Sequence, residues 1–174
     1  DCSRSKKSSM DNTHMSHLDS KEKSRSEDGN ENSVVERSAV ARGKVTMQRD
    51  TLELIDAGEI KMGDVLTAAK NAGISAAKIT SDLIPFCDPS QLSSITIDLE
   101  LENNLPGIKI RAEVQSNAGT DVEMEALTAV SVAALTIYKM AKSNENYLRI
   151  EDVHLVQNKS GKFSKLYKKW FSKK

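Results

Sequence analysis

Two runs of strict alternation constrain this chain more than any other feature. Ile95, Ile97, Leu99 and Leu101 alternate with Thr96, Asp98, Glu100 and Glu102, and then Ile108, Ile110, Ala112 and Val114 alternate with Lys109, Arg111, Glu113 and Gln115. A period of two places successive side chains on opposite faces of an extended backbone, so each run reads as a strand with one apolar and one polar face. Between them Asn103-Asn104-Leu105-Pro106-Gly107 is turn chemistry, which joins the runs as an antiparallel hairpin. An isolated hairpin is marginal in water, so its apolar face needs a cover.

Helical segments supply that cover. From Thr120 to Lys142 the chain is rich in alanine and leucine and apolar almost all round between Ala126 and Ala141, the pattern of a helix buried on several sides. A second helix is expected after Gly63-Asp64, through Val65, Leu66, Ala68, Ala69, Ile74, Ala77 and Lys78 towards Asp82. Gly73 inside it disfavours the helix by up to about 1 kcal/mol relative to alanine, which points to another backbone packed closely there. A short strand is expected near Gly43 to Met47. Asp50 then offers an N-cap for a two-turn helix that Gly58 closes, and a last strand is expected from about Arg149 to Gln157. Strands and helices mix without a βαβ repeat. The expected class is α+β, an antiparallel sheet with helices packed on one face.

The 174 residues leave room for one domain with a real core. Residues 1–33 hold only Cys2, Met10, Met15 and Leu18 as apolar side chains, too few to offset the entropy of ordering, so a disordered polar segment is expected there. Its seven acids argue against a transit peptide. His14 and His17 have metal-ligand spacing but no third ligand nearby. The domain is expected over residues 34–158 and a tail over 159–174. Lys plus Arg and Asp plus Glu both total 25, but the balance is segregated. Residues 1–33 carry 6 bases and 7 acids, 34–158 carry 12 and 18, and 159–174 carry seven lysines and no acid. An acidic domain of this kind excludes a general nucleic-acid binder. In the tail Phe163, Leu166, Tyr167, Trp170 and Phe171 form one helical stripe among lysines. It suits a partner, an anionic membrane surface or a polyanion, with docking on the chain's own acidic domain as the competing reading. Cys2 and Cys87 cannot build a disulfide framework, and no stretch of about 18 apolar residues or secretory signal is visible. The expectation is a soluble, cytoplasmic protein.

Two groups of charged residues are candidates for chemistry. Glu123 and Glu125 open the most buried helix; they complement the helix dipole there, or accept hydrogen bonds from a guanidine-like or pterin N–H edge. Lys139 and Lys142, three apart near the other end, either meet the carbonyl end of the dipole or face a pocket.

The run from Asp121 through Glu123, Met124 and Glu125 to Tyr138 resembles the signature helix of the cyclic pyranopterin monophosphate synthase family, proteins of molybdenum-cofactor biosynthesis. Ala72-Gly73-Ile74-Ser75-Ala76-Ala77-Lys78 and Leu83-Ile84-Pro85-Phe86-Cys87-Asp88-Pro89 resemble two further family blocks in the same order. The resemblance covers about residues 34–162. It implies a ferredoxin-like subunit assembled as dimers into a hexamer, with sites at subunit interfaces. The implied substrate is a GTP-derived pterin-precursor nucleotide, cyclised dihydro-GTP, converted to cyclic pyranopterin monophosphate with release of pyrophosphate. No metal or organic cofactor is implied. The catalytic positions it implies are Lys142 and Lys139. The binding positions are Phe86, Cys87, Asp88, Met124, Glu123, Glu125, Lys78, Arg37, Lys159 and Lys162.

Several positions depart from the family pattern. Asp88 stands where the family loop has His, so an anion replaces a donor. Lys139 stands where the family has Asp, which turns a carboxylate–ammonium pair into two like charges. Met62 replaces a lysine, with Lys61 adjacent. An ungapped count puts Asn158 at the first lysine of a late Lys-Ser-Gly-Gly-Lys element and Lys162 at the second, while a one-residue shift makes the first Lys159. These departures motivate an alternative, a non-catalytic homologue acting as a binding or scaffold subunit.

Overall fold

The computed structural model describes residues 35–159. Its elements are β1 (Arg37–Thr46), α1 (Arg49–Asp56), α2 (Val65–Lys78), α3 (Thr80–Leu83), β2 (Ser94–Glu102), β3 (Gly107–Ser116), α4 (Glu123–Ala141) and β4 (Arg149–Lys159). The strands form one antiparallel sheet in the order β2-β3-β1-β4, so each helical connection crosses over a strand. That is the ferredoxin-like α+β arrangement.

The hairpin forms as the alternation requires. Leu101 pairs with Ile108 and Ile97 with Ala112, which puts both apolar rows on one face, and β1 extends that face with Ala39, Ala41 and Val45. Ile97, Ile108, Ile110 and Val114 are fully covered there. Lys44 and Lys109 both meet Glu102 at 2.9 Å, and Arg111 meets Glu113 at 2.7 Å, on the polar face. The lysine hydrogen bonds hold the Glu102 carboxyl below its ordinary value.

Small side chains set how closely the helices lie. α4 packs on β1, β3, β4 and α2, and its Ala126, Ala129, Ala133 and Ala134 are completely buried. α2 meets it through Gly73: a Cβ built there would lie 2.5 Å from the Ile97 Cδ1 and 2.9 Å from the Ala129 carbonyl oxygen. The glycine inside α2 is therefore a packing requirement. By length and composition α4 is apolar enough to span a bilayer, which a search for an unbroken apolar run overlooks; half of it is buried against the sheet and α2, as in a core helix.

Local boundaries differ from the sequence expectation where distant groups decide them. β1 begins at Arg37 rather than near Gly43, because β3 pairs with it along its whole length and β4 from Ser38 on. α1 starts one residue before Asp50, and the residue at its N-cap is Gln48, whose backbone N–H donates to Glu145 Oε2 at 2.7 Å. Asp50 sits in the first turn, where its charge suits the dipole. Gly58 does close α1, at φ +70°. α2 starts after Asp64 as expected, and Asp64 caps it by accepting from the Thr67 N–H at 3.0 Å. α2 then stops at Lys78, and Thr80 to Leu83 form a separate short turn of helix. α4 is shorter at both ends than 120–142, and β4 runs two residues past Gln157, so Lys159 lies within the sheet.

Candidate functional site

The loop between α3 and β2 contains Pro85 and Pro89. It turns at Phe86, which has φ +60° and a fully exposed ring. A bulky residue at positive φ is strained, and such strain persists where the surroundings impose it. This loop faces the start of α4 across a cleft of about 470 Å³. Ile84 to Asp88 and Ser90 form one wall, and Thr120, Asp121, Glu123, Met124 and Glu125 the other. The structure thus brings together Phe86, Cys87, Asp88, Glu123, Met124 and Glu125, residues separated by more than thirty positions in the chain.

Charge dominates this cleft. Burial raises the Cys87 thiol above its ordinary value, and the Glu125 and Asp88 charges push it further the same way. Burial, reinforced by the Asp121 charge, raises the Glu123 carboxyl. Asn158 on β4 donates its amide N–H to Glu123 Oε1, so its side chain is spent on holding a carboxylate. Glu125 is only 2% exposed. Its Oε1 accepts from the Ser90 hydroxyl at 2.7 Å, while Oε2 is buried and has no partner among the described residues. A buried acceptor left unpaired costs about 1–3 kcal/mol, an expense a ligand N–H would offset.

A second cleft adjoins the first through Ser90. It is lined by Lys78 at the end of α2, by Ile74, and by Leu92 to Ile95 at the start of β2. One ammonium among serine hydroxyls suits an anion. Arg37 lines neither cleft: its Nε donates to the Gly119 carbonyl at 3.2 Å and its guanidinium lies 3.9 Å from Asp121, so it braces the loop that leads into α4.

Other sequence candidates lie elsewhere. Lys139 and Lys142 are exposed near the opposite end of α4. At 1.5 Å of rise per residue they are roughly 20 Å or more from Glu123 and Glu125 along the helix axis, so one chain alone does not bring them together. Met62 is exposed between α1 and α2. Lys159 ends β4, opposite Ser38. Lys162, the tail stripe, His14 and His17 lie outside the described residues. Among the described residues no group of three or more His, Cys, Asp or Glu side chains is placed to hold a metal ion. Sequence reasoning passed over Ser90 because its partner lies 35 residues away. Only its position one residue after Cys87-Asp88-Pro89 could have drawn attention to it.

Residues 27–161 match the family model described as the MoaC family. The chain is 47% identical over 153 residues to a cyclic pyranopterin monophosphate synthase of Methylobacterium nodulans, spanning 88% of this chain and 95% of that protein. It is 43% identical over 148 residues to the protein of the same description from Dinoroseobacter shibae, 85% and 94% of the two chains. A third, from a Nostoc species, is 45% identical over 148 residues, 85% of this chain and 88% of that protein.

Proposed function

The chain belongs to the MoaC family, and from that premise we propose that it acts in molybdenum-cofactor biosynthesis as a cyclic pyranopterin monophosphate synthase. Its substrate is cyclised dihydro-GTP, and it forms the cyclic phosphate of the pterin with release of pyrophosphate. The observation that carries this reading is the buried Glu125 carboxylate, whose unpartnered Oε2 belongs to the wall of a cleft large enough for a bicyclic ring. An ionised carboxylate only accepts hydrogen bonds, so it suits the N–H edge of a guanine or pterin. Glu123 flanks it, with its protonated form favoured by burial, and Met124 and Phe86 give the ring apolar contact. Lys78 in the adjoining cleft holds phosphate, while Lys159, whose charge acts on Glu113 on the polar face of the sheet, would reach a phosphate only from another subunit.

Lys142 and Lys139 enter through assembly. Proton transfer at the reacting phosphate and ring needs a group within hydrogen-bond reach, and these lysines are too far from Glu125 in their own chain. In a homo-oligomer, a hexamer built from dimers, the lysine end of one subunit's α4 completes the cleft of another. Exposed Leu135 and Tyr138 on α4 support such a contact, because they leave apolar surface that the subunit's own sheet does not cover. Light scattering at micromolar concentration is expected to give a multimer; a 19 kDa monomer would reject the interfacial site.

The direct test is incubation of purified protein with cyclised dihydro-GTP and detection of the pterin product. No product above background at any pH tried would overturn the catalytic reading. The second reading, a binding or scaffold subunit without turnover, is favoured by one feature: Asp88 adds a carboxylate across the cleft from Asp121, Glu123 and Glu125. A triphosphate is repelled there, although the same cleft still accepts N–H donors. Restoring the family's residues by Asp88→His, Lys139→Asp and Met62→Lys together is expected to raise turnover if the pocket is intact. A folded, assembled triple variant without gain means that these three positions do not limit the site.

A further inference from the structure

We infer that Ser90 is a positioning residue for ligand recognition: its hydroxyl fixes Glu125 so that one carboxylate oxygen is occupied and the other is kept for the ligand's N–H. The inference rests on the synthase reading and adds a residue to it. Glu125 reaches the cleft from the first turn of α4, where a glutamate side chain would ordinarily rotate among several rotamers. Burial removes water as a partner, and Ser90 is the one side-chain donor to it among the described residues. A serine hydroxyl carries a single proton. The Asp88 carbonyl oxygen lies farther from the same hydroxyl, at 3.4 Å, so the proton goes to Glu125 Oε1 at 2.7 Å and Oε2 is left as the remaining acceptor, already desolvated.

The same bond ties the loop to the helix. Ser90 follows Cys87-Asp88-Pro89 and lies in the walls of both clefts, so its contact with Glu125 sets the distance between the loop wall and α4 and separates the ring-binding side from the Lys78 side. Ser90 does not itself meet the ring in this scheme. It acts through Glu125, and its effect belongs to binding that is equal in ground and transition states, which changes KM more than kcat.

The test uses the full-length protein with cyclised dihydro-GTP. Ser90→Ala is expected to raise KM about tenfold with kcat within about twofold of the wild type, and Ser90→Thr, which keeps the donor, to restore KM to within about threefold. Infrared difference spectra with 13C-labelled glutamate and no ligand are expected to show a carboxylate band that shifts in Ser90→Ala and not in Ser90→Thr. An active wild type whose KM is unchanged by Ser90→Ala would overturn the role of Ser90 and leave the synthase reading standing. Loss of thermal stability in both variants with KM unchanged would make Ser90 a fold contact only. A wild type that neither binds nor converts the substrate, with the infrared shift present, would instead remove the synthase reading and the ligand role of Ser90 with it.

Discussion

Two buried glutamates near opposite ends of α4 are held in contrasting ways. Glu145, 6% exposed just past the helix, accepts from the Gln48 N–H at 2.7 Å, the Thr51 hydroxyl at 3.1 Å and the Tyr147 N–H at 2.9 Å. Burial alone would raise its carboxyl, but these bonds together outweigh burial and hold it below the ordinary value. Glu125 has one donor and one empty oxygen. A carboxylate whose lone pairs are met by backbone and side-chain donors belongs to the folded scaffold: it ties the start of α1 to the segment after α4. One that is desolvated and half met belongs to a site, because the fold has kept the charge out of water without using all of it.

Exchanging the two glutamates for neutral groups should separate their roles. The largest effect is expected from Glu125→Gln, which places an N–H donor where the ligand's own donor must sit: kcat/KM should fall about 100-fold or more, with stability changed by less than about 1 kcal/mol. Kinetics with cyclised dihydro-GTP and a denaturant titration check both halves. Glu145→Ala should do the reverse, destabilising the fold by about 3 kcal/mol with KM unchanged in the folded fraction. If Glu125→Gln proves the more destabilising of the two, the contrast fails.

Acid sharpens the comparison. Because the native pKa of Glu145 lies below its unfolded value, the unfolded chain takes up the proton first as pH falls. Its stabilisation is present above the ordinary glutamate value of 4.5 and is lost as pH falls through the lower native one. Urea midpoints measured from pH 6 to 3 should therefore drop, and Glu145→Gln should flatten that drop. Glu123 runs the other way: its raised pKa means that the native state binds the proton more tightly, so its contribution weakens as pH rises through that pKa. The smallest effect expected is at Cys87. Removing the Glu125 charge takes away one of the charges that raise the thiol, so in a Cys2→Ser background Glu125→Gln should speed alkylation of Cys87 about threefold at pH 8. An unchanged rate would mean that burial, without the Glu125 charge, governs the thiol.

Much of the fold was legible because its signals are local. The alternation of β2 and β3, the start of α2 after Gly63-Asp64 and the Gly58 stop of α1 each lie within a few residues of what determines them. The extent of β1 was not legible, since Ala39, Ala41 and Gly43 carry little apolar signal; they are small because α4 lies on them. The start of α1 depends on a carboxylate 97 residues away. The site divides similarly. Glu123 and Glu125 stood out as carboxylates at the start of the most apolar helix, and Cys87 and Lys78 were found through the family resemblance. The Ser90–Glu125 and Asn158–Glu123 contacts, each spanning 35 residues, depend on how the loop and β4 fold back on α4, which no spacing in the sequence announces.

α4 is a rigid rod with carboxylates at one end and lysines at the other. If each site takes one end from each of two neighbours, genetic complementation follows. Neither Glu125→Gln nor Lys142→Ala subunits alone retain a whole site, yet a pair of one with the other contains one site with both partners intact and one with both damaged. Random co-assembly of the two inactive proteins should then recover about one quarter of the wild-type activity per subunit. Mixing them after assembly is complete should recover none until subunits exchange, so the rise of activity with time would act as a clock for dissociation of the oligomer.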